Sequence, residues 1–154
     1  MGYKELDKGQ FDSIETVDYV TGAAFAIKRD IIKKLGYFDE DFFPGYYEET
    51  DICFRAKKLG YKVVYVPKAI IYHFEASTLK FQSQKYLRSY HRNRIKFLLK
   101  NFSISFILTR SLPFEFRWLI RDCPSSNYIP LLLAYLIAPV YFMKITLKKI
   151  LGYK

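Results

Sequence analysis

Cysteine is nearly absent from this chain: Cys53 and Cys123 are the two in 154 residues. They lie far apart and form no motif, so a disulfide framework has no basis and two ordinary semi-buried thiols in a reducing compartment are expected. An apolar leader is also missing. Met1 is followed by the polar run 2–10, so no N-terminal signal peptide is expected. No internal repeat and no low-complexity linker interrupts the sequence. Acidic residues are scarce in one half only. Residues 79–154 carry 14 Lys/Arg against 2 Asp/Glu, a net +12, whereas residues 1–78 carry 11 against 13, a net −2. The overall +10 thus conceals a mildly acidic first half and a basic second half that suits an anionic partner such as headgroups, a diphosphate or nucleic acid.

What is abundant is apolar and aromatic: 51% and 19% of the residues, enough to fill a core of one domain or a little more. Residues 17–27 (VDYVTGAAFAI) read as a buried strand, with Gly22 where backbone or ligand comes close. Residues 29–35 read as a short helix that starts with Asp30 in its first turn and stops at Gly36. An aromatic loop broken by Pro44-Gly45 follows. Residues 48–59 read as a second helix, acidic at its start, basic at its end and closed by Gly60. Residues 61–66 and 69–73 read as strands around Pro67. Beyond Ser77 the composition changes. Residues 82–101 form a long basic helix with Tyr86, Tyr90, Phe97 and Leu98 along one side. Residues 102–121 are apolar but interrupted by Arg110, Glu115, Arg117 and Arg121, and residues 123–143 carry no charge.

The densest chemistry lies at the start of the second helix. Glu48, Glu49 and Asp51 fall within four positions, after Phe38-Asp39-Glu40 and the loop Phe42, Phe43, Pro44, Gly45, Tyr46, Tyr47. Clustered carboxylates repel, which raises the proton affinity of one of them and suits a general base. The same cluster also suits a helix N-terminus as simple capping charge. His73 at a strand end can face a cleft or be structural. The aromatic loop can stack on sugar faces or fill a core; Tyr46 and Tyr47, beside the acids, are the better contact candidates.

The series VTGAAFAIKRDIIKKLGYFDEDFFPGYYEETDICFRAKKLGYKVVYVPKAIIYH resembles the C-terminal half of the catalytic domain of family 2 glycosyltransferases, closest to a rhamnosyltransferase-like branch. The ordered elements are a Gly-bearing strand, a GxFDE-like turn, an E-D-x-D-like motif opening a helix, and a GY-V-YVP-A-H series. They cover residues 17–78, about two-fifths of the chain. The Arg92-Asn93-Arg94 helix resembles the stretch that follows this domain. The resemblance implies an α/β fold: a partial GT-A domain over residues 1–78, then basic and apolar helices over 79–154. It implies inverting transfer from a nucleotide-sugar donor to a surface polysaccharide or lipid-linked acceptor. Glu49 is the implied base, with Asp51 and Glu48 beside it; Gly22, Tyr46, Tyr47 and Arg55 are the substrate-binding candidates, and His73 the metal or diphosphate contact. The family's second acid is commonly Asp, and here it is Glu49. Asp39-Glu40-Asp41 follows a helix-stopping glycine rather than a hydrophobic strand and matches the FDE element, not the nucleotide-binding D-x-D. By this resemblance the nucleotide-binding half is absent, and the chain is expected to be a fragment, a split enzyme or a truncated gene product. A divalent Mn or Mg ion is expected only with the missing D-x-D half, and a separate N-terminal nucleotide-binding chain is the implied partner. The alternative is a non-catalytic membrane-associated remnant or accessory subunit.

The basic helix lacks a recognised nucleic-acid motif, and no nucleic-acid partner is expected. The apolar run 128–143 has 16 residues and two prolines, short of the ~20 that span a bilayer comfortably. Trailing lysines without acids suit an anionic leaflet. A peripheral or re-entrant placement on the cytoplasmic face of the cell membrane is expected, because a single crossing would separate the catalytic half from cytosolic sugar nucleotides.

Overall fold

The computed structural model describes residues 5–73 and 80–152. The described parts of residues 1–41 and 48–75 form one compact unit, and those of 42–47 and 76–154 form a second. The expected boundary at 78/79 lies outside the described residues.

In the first unit, α1 (Arg29–Leu35) begins with Asp30 and ends with Lys33 and Lys34, charges that complement the helix dipole. Gly36 stops it at φ 78°, a left-handed conformation that costs a glycine nothing. Helix α2 (Glu48–Lys58) repeats the pattern, with Glu48, Glu49 and Asp51 in its first turn and Arg55, Lys57 and Lys58 in its last. Its Ile52, Cys53 and Ala56 are buried, and α1 packs against it. The α/β sheet read from the sequence is not formed among the described residues. The only sheet there pairs β1 (Glu15–Thr16) with β2 (Val64–Tyr65) antiparallel, with Glu15 opposite Tyr65 and Thr16 opposite Val64. One further bond, Val17 N–H to the Val63 carbonyl at 2.9 Å, extends the pairing. Residues 17–27 otherwise carry no strand, only a 3-10 turn at Gly22–Ala24 between extended Thr21 and Phe25, and residues 69–73 carry no strand. Strand-forming side chains cannot make a sheet without neighbours to receive their backbone hydrogen bonds, and two-stranded ribbons are marginal.

The second unit is helical. Ser83 caps α3 (Gln84–Asn101) by accepting from the Tyr86 N–H at 3.2 Å, which starts the helix two residues later than residue 82. After Phe102 the chain forms α4 (Ile104–Phe106), a π turn at Ile107–Ser111 and α5 (Leu112–Arg121), with Pro113 in the first turn of α5. Helix α6 (Tyr128–Ile150) extends past the apolar run through Lys144, Lys148 and Lys149. Pro130 sits in its first turn, where no N–H is needed, and Pro139 is accommodated inside it. Helices α3 and α6 form the main packing pair, and Leu87 and Ile95 of α3 and Leu131, Ala134 and Ile145 of α6 are buried. Buried positions on α3 alternate: Leu87, Ser89, His91, Asn93, Ile95, Phe97. In a helix, residues two apart point about 200° apart, so α3 is covered on two opposite sides.

Candidate active site

The acids at the start of α2 divide into two kinds. Asp51 is buried, and its Oδ2 accepts from Arg55 Nε at 2.7 Å, an i,i+4 ion pair. Arg55 Nη1 and Nη2 donate to the carbonyls of Leu35 and Tyr37 at 2.7 and 2.9 Å. The pair therefore staples α2 to the end of α1. Arg55, expected at the substrate, has Nε, Nη1 and Nη2 all engaged inside its own unit. Lys57, in the last turn of α2, pairs with Asp18.

Glu48 and Glu49 are different. Both are half-buried, and among the described residues neither makes an ion pair. Oε2 of Glu48 is buried without a hydrogen-bond partner. Burial holds the Glu49 carboxyl above its ordinary value; a backbone N–H opposes this, and the charge of Glu48 adds to it. The sequence reading gave like-charge repulsion as the cause, but desolvation is the larger one. Gly22 lies opposite. A Cβ built there would meet the Glu49 Cβ at 4.0 Å, ordinary contact, and Gly22 is exposed rather than packed within a strand. Protein packing does not require a glycine here; what its missing side chain leaves open is the approach to Glu49.

In the second unit, Tyr46 and Tyr47 are held at φ 75° and 76°, a left-handed conformation unusual for large side chains. Their rings belong to an aromatic cluster: Tyr46 packs edge-on to Tyr86 at 4.8 Å between centroids, and Tyr47 lies 5.5 Å from both Tyr90 and Phe97. Phe42 is core, while Phe43 is exposed. Phe38, in the first unit, packs on Phe25 at 5.7 Å. The turn is held by a residue to which the sequence reading gave no role. Asn93, fully buried, directs Nδ2 at the carbonyls of Gly45 (2.8 Å), Tyr46 (3.0 Å) and Phe42, and Arg92 reaches the Phe43 carbonyl. A buried side chain converging on three carbonyls supports a backbone that would otherwise relax. The turn leads directly into Glu48 along the chain.

A second buried network secures the helices behind it. Arg94 and Glu115 form a two-pronged ion pair joining α3 to α5, with Glu115 3% exposed. Burial works against the Arg94 charge, but the hydrogen bond and charge of Glu115 outweigh it, and the guanidinium pKa is raised. Tyr135 nearby is pushed up to about 12, first by burial and then by the charge of Glu115. His91 Nε2 meets Asn127 Oδ1 at 2.7 Å while Nδ1 is buried without a partner, and burial lowers the His91 pKa.

His73 is exposed at the end of the first described segment. Among the described residues, no three His, Cys, Asp or Glu side chains are grouped to hold a metal ion. These residues alone therefore do not build a metal site.

A family model described as glycosyltransferase like family 2 matches residues 1–91. The chain is 33% identical over 76 residues to a galactofuranosyl glycosyltransferase of Leishmania donovani, covering 49% of this chain and 18% of that protein. It is 30% identical over 82 residues to an N-acetylglucosaminyl-diphospho-decaprenol L-rhamnosyltransferase of Mycobacterium tuberculosis, covering 53% and 26%. A probable glycosyltransferase of Bacillus subtilis is 33% identical over 88 residues, covering 55% and 20%. The matches thus span about a quarter or less of these relatives. No solved structure matches the chain.

Proposed function

The chain belongs to the glycosyltransferase like family 2, and from that premise we propose that it carries the acceptor side of an inverting glycosyl transfer. The donor is a nucleotide sugar, and the acceptor a surface glycan or a lipid-linked sugar, in line with the diphospho-decaprenol substrate in the name of the mycobacterial relative. The observation that carries the reading is Glu49: a half-buried carboxylate of raised proton affinity, with an exposed glycine opposite.

In this reading Glu49 takes the proton of an acceptor hydroxyl as that oxygen bonds to the anomeric carbon of the donor. The bond from that carbon to the diphosphate breaks on the opposite face, its electron pair leaves with the diphosphate, and configuration inverts. A base poised near the working pH is the efficient one, and desolvation moves a glutamate in that direction. Glu48 keeps Glu49 from ionising too readily, and Asp51 with Arg55 fixes the helix start. A divalent Mn or Mg ion would neutralise the diphosphate; these residues offer only His73 toward it, so no step here passes through it. Among the described residues there is no Gly-rich or strand-terminal D-x-D segment, and the donor half is assigned to a separate nucleotide-binding region. The site works at the cytoplasmic face of the cell membrane.

The test is transfer in a full-length or reconstituted enzyme, with a panel of nucleotide sugars and the product anomer read by NMR. An inverted linkage is expected. Retention of configuration overturns the mechanism. Calorimetry on this chain alone should show weak donor binding with Mn or Mg; a dissociation constant of about 1 μM would contradict the half-domain reading.

A further inference from the structure

Helix α6 presents two faces of the same character to different surroundings. Pro130, Leu131, Ala134 and Ile145 turn inward and are buried in the second unit. The other side carries Leu132, Leu136, Val140, Met143, Leu147 and Ile150, spaced at three and four residues along the whole helix and all exposed. A surface helix ordinarily places polar residues there, and a continuous apolar stripe marks an interaction surface. The stretch Ser125–Ile150 is long and apolar enough to cross a membrane, and 17% of its most apolar window is buried.

The charges identify what covers the stripe. Lys144 and Lys148 run beside it one turn apart, and both are exposed. Residues 79–154 carry 14 Lys/Arg against 2 Asp/Glu, and one of those acids, Glu115, is already paired with Arg94. A second copy on this face would bring two strongly cationic surfaces together. An anionic bilayer accepts both the stripe and the lysines.

The packing fixes the orientation. Helix α6 lies along α3, which bears Lys85, Arg88, Arg92, Lys96 and Lys100, and His91 of α3 is hydrogen-bonded to Asn127 at the foot of α6. If α6 crossed the membrane, α3 would follow it to bilayer depth with these cations, which is strongly disfavoured. We propose that α6, about 35 Å long, docks in the plane of an anionic membrane through the Leu132–Leu136–Val140–Met143–Leu147 stripe, with its lysines reaching the headgroups. This deepens the membrane placement given above and does not depend on the chemistry of Glu49.

The test uses the full chain and vesicles of phosphatidylcholine alone or mixed with phosphatidylglycerol. Flotation with the mixed vesicles is expected, weakening as salt rises. Leu136→Asp and Met143→Asp should each weaken binding about tenfold or more with helical circular dichroism unchanged. Lys144→Glu with Lys148→Glu should remove most of the preference for anionic lipid. Leu136→Trp and Leu147→Trp, each in a Trp118→Phe background, should be quenched alike by shallow nitroxide lipids. A deep Leu136 with a shallow Leu147 would mean a crossing helix and overturn the proposal. So would absence of flotation, whether with self-association that Leu136→Asp abolishes, meaning a second copy, or with a monomer. Transfer to a water-soluble acceptor by the reconstituted enzyme reports separately on the catalytic reading: flotation lost with transfer kept overturns the docking alone, and the converse overturns the chemistry alone.

Discussion

Glu115 and Glu49 are both carboxylates drawn out of water, and the two units treat them in opposite ways. In the helical unit Glu115 is almost wholly buried but grips both terminal nitrogens of Arg94. In the acid-bearing unit Glu49 is only half-buried, makes no ion pair among the described residues, and is held above its ordinary pKa by desolvation. Asp51, two residues on, resembles Glu115: buried and neutralised, here by Arg55. Full pairing makes a carboxylate structural, whereas partial burial without a counter-ion leaves it with a proton affinity it can use.

The sharpest way to break this contrast is to exchange charge for amide on each side. Glu49→Gln should lower transfer by about 10²–10⁴-fold in the reconstituted enzyme, measured in single turnovers. It should not lower stability. A glutamate whose folded pKa is raised favours the folded state below its unfolded pKa and loses that advantage as pH rises through the folded value, so at neutral pH its charge is a burden. The Glu49→Gln melting temperature at neutral pH should equal or exceed the parent value. Glu115→Gln should do the reverse and cost about 3–5 kcal/mol in denaturant melts, by stranding Arg94.

A smaller effect is expected at the turn clamp. Asn93→Leu removes the amide that three carbonyls share, of which that of Phe42 keeps the Gly45 N–H, and should cost about 1–3 kcal/mol; amide exchange at Gly45 and Tyr46 should accelerate first. His91 gives a pH handle of the opposite sign. Its folded pKa is lowered by burial, so its contribution is present above the unfolded value of 6.5 and lost as pH falls below it. His91→Gln should flatten that acid limb of stability. Smallest of all, Gly22→Ala should change stability by no more than about 0.5 kcal/mol, because the added Cβ makes only ordinary contact. Gly22→Leu should still fold but raise KM for the acceptor if the opening toward Glu49 is where the acceptor enters.

The parts of this molecule that were legible in its sequence are those specified locally. Helix α1 runs over residues 29–35 as Asp30 and Gly36 indicate, and α2 ends one residue before the expected stop. Of the expected strands, the one over residues 61–66 contains β2 at Val64–Tyr65, whereas those over 17–27 and 69–73 did not form, because β-rich composition reports a preference for pairing and not the presence of a partner. The apolar run ended on paper at residue 143, but lysines are good helix formers and α6 continues to Ile150. At the site, the acid cluster was plain from spacing, whereas the division between Asp51 and Glu49 depends on Leu35 and Tyr37 holding Arg55. Asn93 stands out in the sequence only as part of the Arg92-Asn93-Arg94 helix, and its role could not be read: its acceptors are backbone carbonyls 47 to 51 residues away, and a carbonyl has no sequence signature. Glu115 looked like an interruption of an apolar segment and is instead half of a buried ion pair.

The most direct test of the central claim, that Glu49 is a desolvated base, is the pH dependence of single-turnover transfer by the reconstituted enzyme, compared with Glu49→Gln and Glu48→Gln. The account predicts a rate that rises with pH through a midpoint above 4.5, a limb that disappears in Glu49→Gln, and one that shifts only slightly downward in Glu48→Gln because burial is the larger cause. The same limb persisting unchanged in Glu49→Gln would contradict it.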